Sequence, residues 1–291
     1  MVGETVGGQG KQTGGARLSM RSQPEKHVLV IGGARGIGRI VVESLITRGE
    51  RPLVVDRDES ELVKRKAEWG EKAGTLRMDL TNRDEVINAL AWVKNQADML
   101  DVIVMTAAVH STYPVEYLPD EVIDRVLDIN LISQIRFVRD IIPMIRQGGR
   151  IITVSSVSAG VGIPMESIYS VSKAGLELFY ECMSIELSYK DIRCVIIQPG
   201  NVNTGFNETG NDYKPVGNPF IDDLYKKVVE RTNSRHGIPP EQVARAIMNS
   251  IQDKNPTLCV LVGGNAIKAH WAKRLLGRDR ALKILKKMMC G

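Results

Sequence analysis

The chain has 291 residues, 43% of them hydrophobic and 25% charged, with a formal net charge of +5. This balance is ordinary for a globular protein with a sizeable core and excludes collagen-like and wholly disordered classes. No apolar run approaches the ~18 residues of a spanning helix, and the N-terminus lacks the apolar core of a secretion signal.

Residues 1–25 are rich in Gly with Ser, Gln and Thr and are expected to form a disordered leader. Glu4 and Glu25 interrupt their basic residues, and amphipathic periodicity is missing, which weighs against a transit peptide. From residue 27 onward, short β-branched runs alternate with helical spacing. Strands are expected at 27–31, 52–56, 75–79, 101–105, 150–155, 192–197 and 257–262. Helices are expected at 36–48, 57–70, 82–97, about 119–147, 168–189 and 239–252. In the long fourth helix Pro143 is a kink or early stop, and Gly148-Gly149 marks its end. Segment 201–237 is polar and rich in Gly and Asn, and reads as an insertion or lid. Strand–helix alternation implies right-handed crossovers and a parallel sheet, and the apolar strands imply that both faces are covered. The expected fold class is α/β: one Rossmann-like, doubly wound domain over residues 26–264.

Residues 266–291 hold eight Lys and Arg against Asp279 alone, a net +7 that leaves −2 for the rest. The basic character therefore belongs to the tail, and the body has no nucleic-acid footprint. Within extension 265–291, Trp271, Leu275, Leu276, Leu282, Ile284, Leu285, Met288 and Met289 interleave with the charges. Two readings stay open: an amphipathic helix making peripheral contact with an anionic membrane, or a helix packed on the body with a solvated basic face. Cys182, Cys194, Cys259 and Cys290 have neither metal nor redox spacing, and His27, His110, His236 and His270 are scattered. Reduced thiols in a cytoplasmic setting and no metal site are expected.

The first strand runs into I-G-G-A-R-G-I-G, where Gly32, Gly36 and Gly38 open the first helix. Such a turn lets backbone approach a pyrophosphate, and the helix end offers unpaired N–H groups. Asp56 ends the second strand, 18 residues after Gly38. A carboxylate there accepts from ribose hydroxyls and repels a 2′-phosphate, which favours NAD. Arg35 and Arg57 pull towards NADP. Asp79 ends the third strand and could meet the adenine edge, while Thr81 with Asp84 resembles a helix capping box.

Tyr169 and Lys173 stand one helical turn apart, so phenol and ammonium share a face. The pair alone recurs by chance too often to carry a function. Ser156 closes the fifth strand 13 residues earlier, and ligands of parallel sheets bind beyond the strands' carboxyl ends. A phenol near pKa 10 is a poor acid or base at neutral pH, and a neighbouring ammonium lowers that value. Asn130 is a polar residue amid apolar neighbours in the long helix.

Gly32-x-x-x-Gly36-Ile37-Gly38, Asp79, Asn130, Ser156, Tyr169-x-x-x-Lys173 and Pro199-Gly200-Asn201-Val202-Asn203-Thr204 occur in the order of the short-chain dehydrogenase/reductase family, which residues 26–262 resemble. The resemblance implies a seven-stranded Rossmann-like sheet and nicotinamide-dependent interconversion of alcohols and ketones. It implies Tyr169 as general acid/base and Lys173 as the group that bonds the nicotinamide ribose and depresses the Tyr169 pKa. Ser156 would orient the reacting oxygen, and Asn130 would hold a water relaying protons from Lys173. The cofactor would lie along Gly32, Arg35, Gly36, Ile37, Gly38, Asp56, Arg57, Asp79, Leu80, Ala107, Ala108, Tyr169, Lys173, Pro199, Gly200, Val202 and Thr204. Homodimers or homotetramers are usual in similar families.

Two positions depart from the family pattern. Ile31 stands where Thr usually precedes the first glycine, and 105–108 read Met-Thr-Ala-Ala instead of Asn-Asn-Ala-Gly. An apolar repacking is expected to replace the usual polar tie, with Ala108 adding a methyl near the cofactor's path. Val161, Ile163, Met165 and Phe206 would line an apolar substrate site, suited to a steroid-, retinoid- or lipid-like alcohol. The stretch from Pro239 to Val262 with its basic extension is similar to the hydroxysteroid and retinol dehydrogenase branch. Two other functions fit the fold: a non-catalytic dinucleotide-binding sensor or scaffold, and an epimerase or dehydratase.

Overall fold

The computed structural model describes residues 26–206, 213–232 and 237–290, so the leader expected over 1–25 lies outside the described residues. The strands are β1 Val28–Ile31, β2 Leu53–Asp56, β3 Gly74–Arg77, β4 Leu100–Met105, β5 Ile145–Val154, β6 Arg193–Pro199 and β7 Cys259–Val262. The helices are α1 Gly36–Thr47, α2 Glu59–Trp69, α3 Arg83–Gln96, α4 Asp120–Leu127, α5 Ser133–Ile141, α6 Val157–Gly160, α7 Ser167–Glu186, α8 Pro219–Thr232, α9 Pro240–Gln252, α10 Gly264–Leu276 and α11 Arg278–Cys290.

All seven strands are parallel, in the order β3-β2-β1-β4-β5-β6-β7. Alternation along each strand divides the core in two. Leu29, Ile31, Val55, Ile103 and Ile151 meet α3, α5 and α7 through Val93, Phe137 and Leu176. Val28, Val30, Val54, Val104 and Ile152 meet α1 and α9 through Val41, Leu45 and Ile247. Both faces are dry, which is why these strands read as unbroken apolar runs. The strand order reverses between β1 and β4, and the crevice at that reversal is where such sheets bind ligands.

Three expectations are corrected. The helix drawn over 119–147 is broken: α4 passes through a π-helical turn, Asp128–Ile132, into α5, and β5 already starts at Ile145. Gly148-Gly149 thus lies inside β5, at the irregular register opposite Leu100–Val102, rather than ending a helix. The polar segment 201–237 contains α8, whose Ile221, Leu224, Tyr225 and Val228 recur at helical spacing and pack inward. The start of α3 is capped by Asn82, which accepts from the Asp84 and Glu85 amides; the Thr81 hydroxyl donates to Asp79 instead.

Candidate active site

The glycine turn lies between β1 and α1. Arg35, the residue before α1, makes no side-chain cap, so the first amides of the helix remain available to an anion. Gly36 has φ +51°, and a Cβ there would point into the gap towards Thr204, 4.0 Å away. Gly38 is needed for a close approach: a Cβ would lie 2.2 Å from the Gly32 carbonyl oxygen and 2.6 Å from Thr106 Oγ1.

That Thr106 contact overturns the expected apolar repacking. The Thr106 hydroxyl lies 2.8 Å from the Ile31 carbonyl oxygen and 3.0 Å from that of Gly32, tying β4 to the turn. A threonine one residue into the Met-Thr-Ala-Ala stretch is long enough to do this because β1 and β4 are paired. Ala107 is held by Gln134, whose amide donates to its carbonyl at 2.9 Å. Ala108 is half-buried beside it.

Asp56 stands at the carboxyl end of β2. Its carboxylate accepts from the Ala34 amide and the Asp58 amide, both at 3.0 Å, so it braces the turn from below. Arg35 bridges to Asp58 at 2.5 Å and lies 3.7 Å from Glu61, while Arg57 is exposed. Asp79 accepts from the Thr81 amide at 2.9 Å, and Leu80 packs on the core. Beyond β6, Gly200 donates to the Val262 carbonyl, Val202 bridges to Ile238, and Thr204 faces Gly36. A dinucleotide fits this set: open helix amides, a glycine-rich turn and a carboxylate at the second strand's end.

Ser156, Tyr169 and Lys173 come together beyond β5. Ser156 caps the short α6, accepts from the Ser158 amide and hydroxyl, and its hydroxyl stands near enough to the Tyr169 phenol to act on it. Tyr169 and Lys173 are buried, and the Lys173 ammonium donates to the Val154 carbonyl at 2.9 Å, 5.8 Å from the Tyr169 ring centre. Burial pushes the Lys173 ammonium down to about 8, against the Glu177 charge, which raises it. The phenol does not follow the expected depression. Burial pushes Tyr169 well above the ordinary tyrosine value, the Glu166 charge raises it further, and only the nearby Ser156 hydroxyl lowers it. Desolvation of the phenolate dominates, and the Lys173 ammonium, committed to the Val154 carbonyl, does not offset it.

Asn130 is fully buried in the π-helical turn. It accepts from the Val109 amide and donates to the Val109 carbonyl, both at 2.8 Å, and donates to the Ser172 hydroxyl at 3.1 Å. Its contacts thus fasten the loop after β4 to α7; none reaches Lys173 directly. A π-turn re-aims one side chain inward at such a junction.

Three polar residues escape sequence reading. His110 lies 4.9 Å, edge-on, from the Tyr169 ring, and its Nε2 is 3.3 Å from Glu166, with both side chains buried. Phe206 completes the aromatic wall, 6.3 Å from Tyr169. Glu177, one turn after Lys173, accepts from Ser155 at 2.6 Å and Gln198 at 2.8 Å. Its carboxyl is raised by burial, against those two hydrogen bonds. The spacing to Lys173 was a usable signal for Glu177; nothing local marked His110 or Glu166. Met165, one of the expected lining residues, has φ +65°, a strained value for a side-chain-bearing residue. Among the described residues, no group of three or more His, Cys, Asp or Glu could hold a metal.

A phosphate-ready turn at the switch point and a Ser–Tyr–Lys group beyond β5 define a dinucleotide-dependent oxidoreductase. The family model described as short chain dehydrogenase matches residues 26–214, and the chain belongs to that family. It is similar to 3-ketodihydrosphingosine reductase of Bacteroides thetaiotaomicron, 26% identical over 242 residues, covering 81% of this chain and 87% of that one. It is also similar to the hydroxynaphthalene reductase-like protein Arp2 of Metarhizium acridum, 31% identical over 205 residues, 68% and 77%. Among solved structures, a short-chain dehydrogenase from Streptomyces avermitilis shares the fold with a TM-score of 0.78 at 22% identity, over 91% of this chain and 99% of that one. A 3-ketoacyl-(acyl-carrier-protein) reductase from Brucella melitensis, complexed with NADH, shares it with a TM-score of 0.70 at 21% identity, over 83% and 98%.

Proposed function

We propose that this enzyme uses NADH to reduce a ketone on a fairly apolar small molecule to the secondary alcohol. The observation that carries the reading is the buried Tyr169 phenol standing beside Lys173 and near Ser156 beyond the carboxyl end of β5. The raised phenol keeps its proton at neutral pH, which suits it to donate in the reductive direction. Ser156 holds the carbonyl oxygen, and Tyr169 delivers the proton to that oxygen as it gains negative charge. When bound, a reduced nicotinamide supplies the hydride. Lys173 and Thr204 would hold its ribose and carboxamide ends, and Asn130 keeps the β4 loop in place and supports proton relay from Lys173. The site residues named above would take the cofactor roles that the family resemblance gives them.

Met165 and Phe206 supply apolar walls, and His110, buried against the Tyr169 ring, adds a polar edge to them. The relatives are named as a 3-ketodihydrosphingosine reductase and a hydroxynaphthalene reductase-like protein, and a keto-sphingoid base and a hydroxynaphthalene share an apolar body with polar substituents. A panel of 3-keto sphingoid bases, bicyclic phenolic ketones, steroids and retinoids, followed by NADH absorbance, is expected to show turnover of at least one class. Turnover of none in either direction, with cofactor bound, would favour a sensor; transformation without net NADH change would indicate epimerisation or dehydration.

NAD is preferred to NADP because Asp56, Asp58 and Glu61 cluster where a 2′-phosphate would lie, with Arg35 already paired to two of them. NADH is expected to bind at least about tenfold more tightly than NADPH by fluorescence titration, with Asp56→Ser narrowing the ratio. NADPH binding about tenfold tighter would reverse the assignment.

Removing the Glu166 charge should make Tyr169 a stronger acid, since that charge raises its pKa. Alcohol oxidation needs the phenolate, so in Glu166→Gln the rising limb of kcat/KM for oxidation is expected to move to lower pH. An unmoved limb would show that Tyr169 is not the titrating group or that Glu166 does not reach it. Exposed Val171, Leu178 and Ile185 recur every seven residues along α7, an apolar stripe suited to a second copy of the chain in a homodimer or homotetramer. Sedimentation velocity tests this. A cytoplasmic location belongs to the same reading.

A further inference from the structure

The two C-terminal helices present more apolar surface than the body covers. In α11, Leu285 and Met289 pack against α8, in the same cluster as Tyr213, Ile221 and Val228. Beside that contact, Leu282, Ile284 and Met288 stay exposed at 42%, 49% and 58%. The apolar sector of α11 is thus wider than its seat. In α10, Ile267, Trp271 and Leu275 recur at i, i+4 and i+8, a spacing that sets them along one side of the helix, and are exposed at 43%, 48% and 75%. Arg274 stacks over the Trp271 ring at 5.9 Å, leaving the indole flanked by a cation.

Charge says what covers this surface. Lys268, Arg274, Arg278, Arg280, Lys283, Lys286 and Lys287 are all exposed along the two helices, and Asp279 is the one acidic residue there. A second copy would bring the same positive charge against itself, so a like-with-like contact is disfavoured. An anionic lipid surface accepts both features: apolar side chains enter the headgroup boundary while Lys and Arg meet the phosphates. Tryptophan is suited to that boundary, with an apolar ring and a polar N–H. Among the described residues no helix is long and apolar enough to cross a membrane, so the contact is peripheral.

We propose that α10 and α11 dock this enzyme in the plane of an anionic membrane. The apolar cluster under α11 also contains Val109 and Met165, which flank His110 and Glu166 next to Tyr169. The seat of α11 is therefore built on the same apolar cluster that borders the active site. The docking itself rests on the tail alone and does not depend on which ketone is reduced.

The test is sedimentation of the full-length protein with vesicles of phosphatidylcholine alone or phosphatidylcholine with phosphatidylglycerol. Binding is expected only with the anionic vesicles, falling as salt rises. Neutralising Lys283, Lys286 and Lys287 to Gln should weaken partitioning by about a hundredfold. Trp271→Ser with Leu275→Ser should weaken it by at least about tenfold, because buried apolar area is lost. NADH affinity and melting temperature should stay at parent values in both variants, since the substituted side chains are exposed. No anionic vesicle binding, equal binding to neutral vesicles, or partitioning untouched by both variants would each overturn the proposal. A stable dimer dissociated by the Trp271/Leu275 variant, without vesicle binding, would give the face to a second copy instead.

Discussion

Tyr169→Phe is expected to lower kcat/KM for ketone reduction by about a hundred- to ten-thousand-fold, the range lost when a positioned proton donor is removed. The phenol is buried, and its ring is boxed by His110 and Phe206, so phenylalanine keeps the packing and deletes one hydroxyl. NADH affinity and thermal stability should therefore remain close to the parent's. Solvent water is poorly placed to substitute, because Tyr169 is only 7% exposed. The measurement is steady-state kinetics with the most active ketone of the panel, paired with NADH titration of the same preparation. A Phe variant that turns over at the parent rate would remove Tyr169 from the chemistry. The fold and family assignment would stand, since they rest on the sheet and the matched segment.

Gly38→Ala is expected to act on binding and stability together. The added methyl would sit 2.2 Å from the Gly32 carbonyl oxygen, a backbone atom that cannot rotate away, and 2.6 Å from the Thr106 hydroxyl that ties β4 to the turn. Relief requires α1 to move off the strand ends, displacing the amides that would meet a pyrophosphate. Overpacking of this kind costs about 1–3 kcal/mol or more. For a chain of this size that lowers the melting temperature by roughly 3–10 °C, and NADH affinity should fall at least about tenfold. Gly162→Ala is the matched control: nothing lies within 4 Å of its Cβ position, so its change should stay within about 0.5 kcal/mol. A Gly38→Ala protein that melts and binds like the parent would show that the turn does not need this close approach.

Much of the framework was readable because it is local. β-branched runs and helical spacing place the seven strands within a few residues, as in Val28–Ile31 and Leu100–Met105. Where local signals compete, sequence and structure part. The apolar pattern through Asp128–Ile132 looks continuous, but a π-turn there rotates Asn130 inward. In Ile145–Val154 the paired glycines resemble a helix end, yet they lie inside the strand. The inward face of α8 lies inside a segment rich in loop-forming residues, which mask its helical spacing.

The candidate site divides along the same line. By itself the sequence determined the glycine turn after β1, the carboxylate at the end of β2, and a serine, tyrosine and lysine at spacings that suit one strand end and one helix face. Each rests on neighbours in the chain, where periodicity operates. Only the tertiary structure decided that Thr106 replaces the expected apolar contact, that His110 and Glu166 stand against Tyr169, and that Asn130 holds Val109 and Ser172. It also decided the state of the phenol, because burial is a property of everything packed around Tyr169. These contacts join residues that the sheet brings together by reversing its strand order between β1 and β4, and no local pattern records which distant strand will be the neighbour.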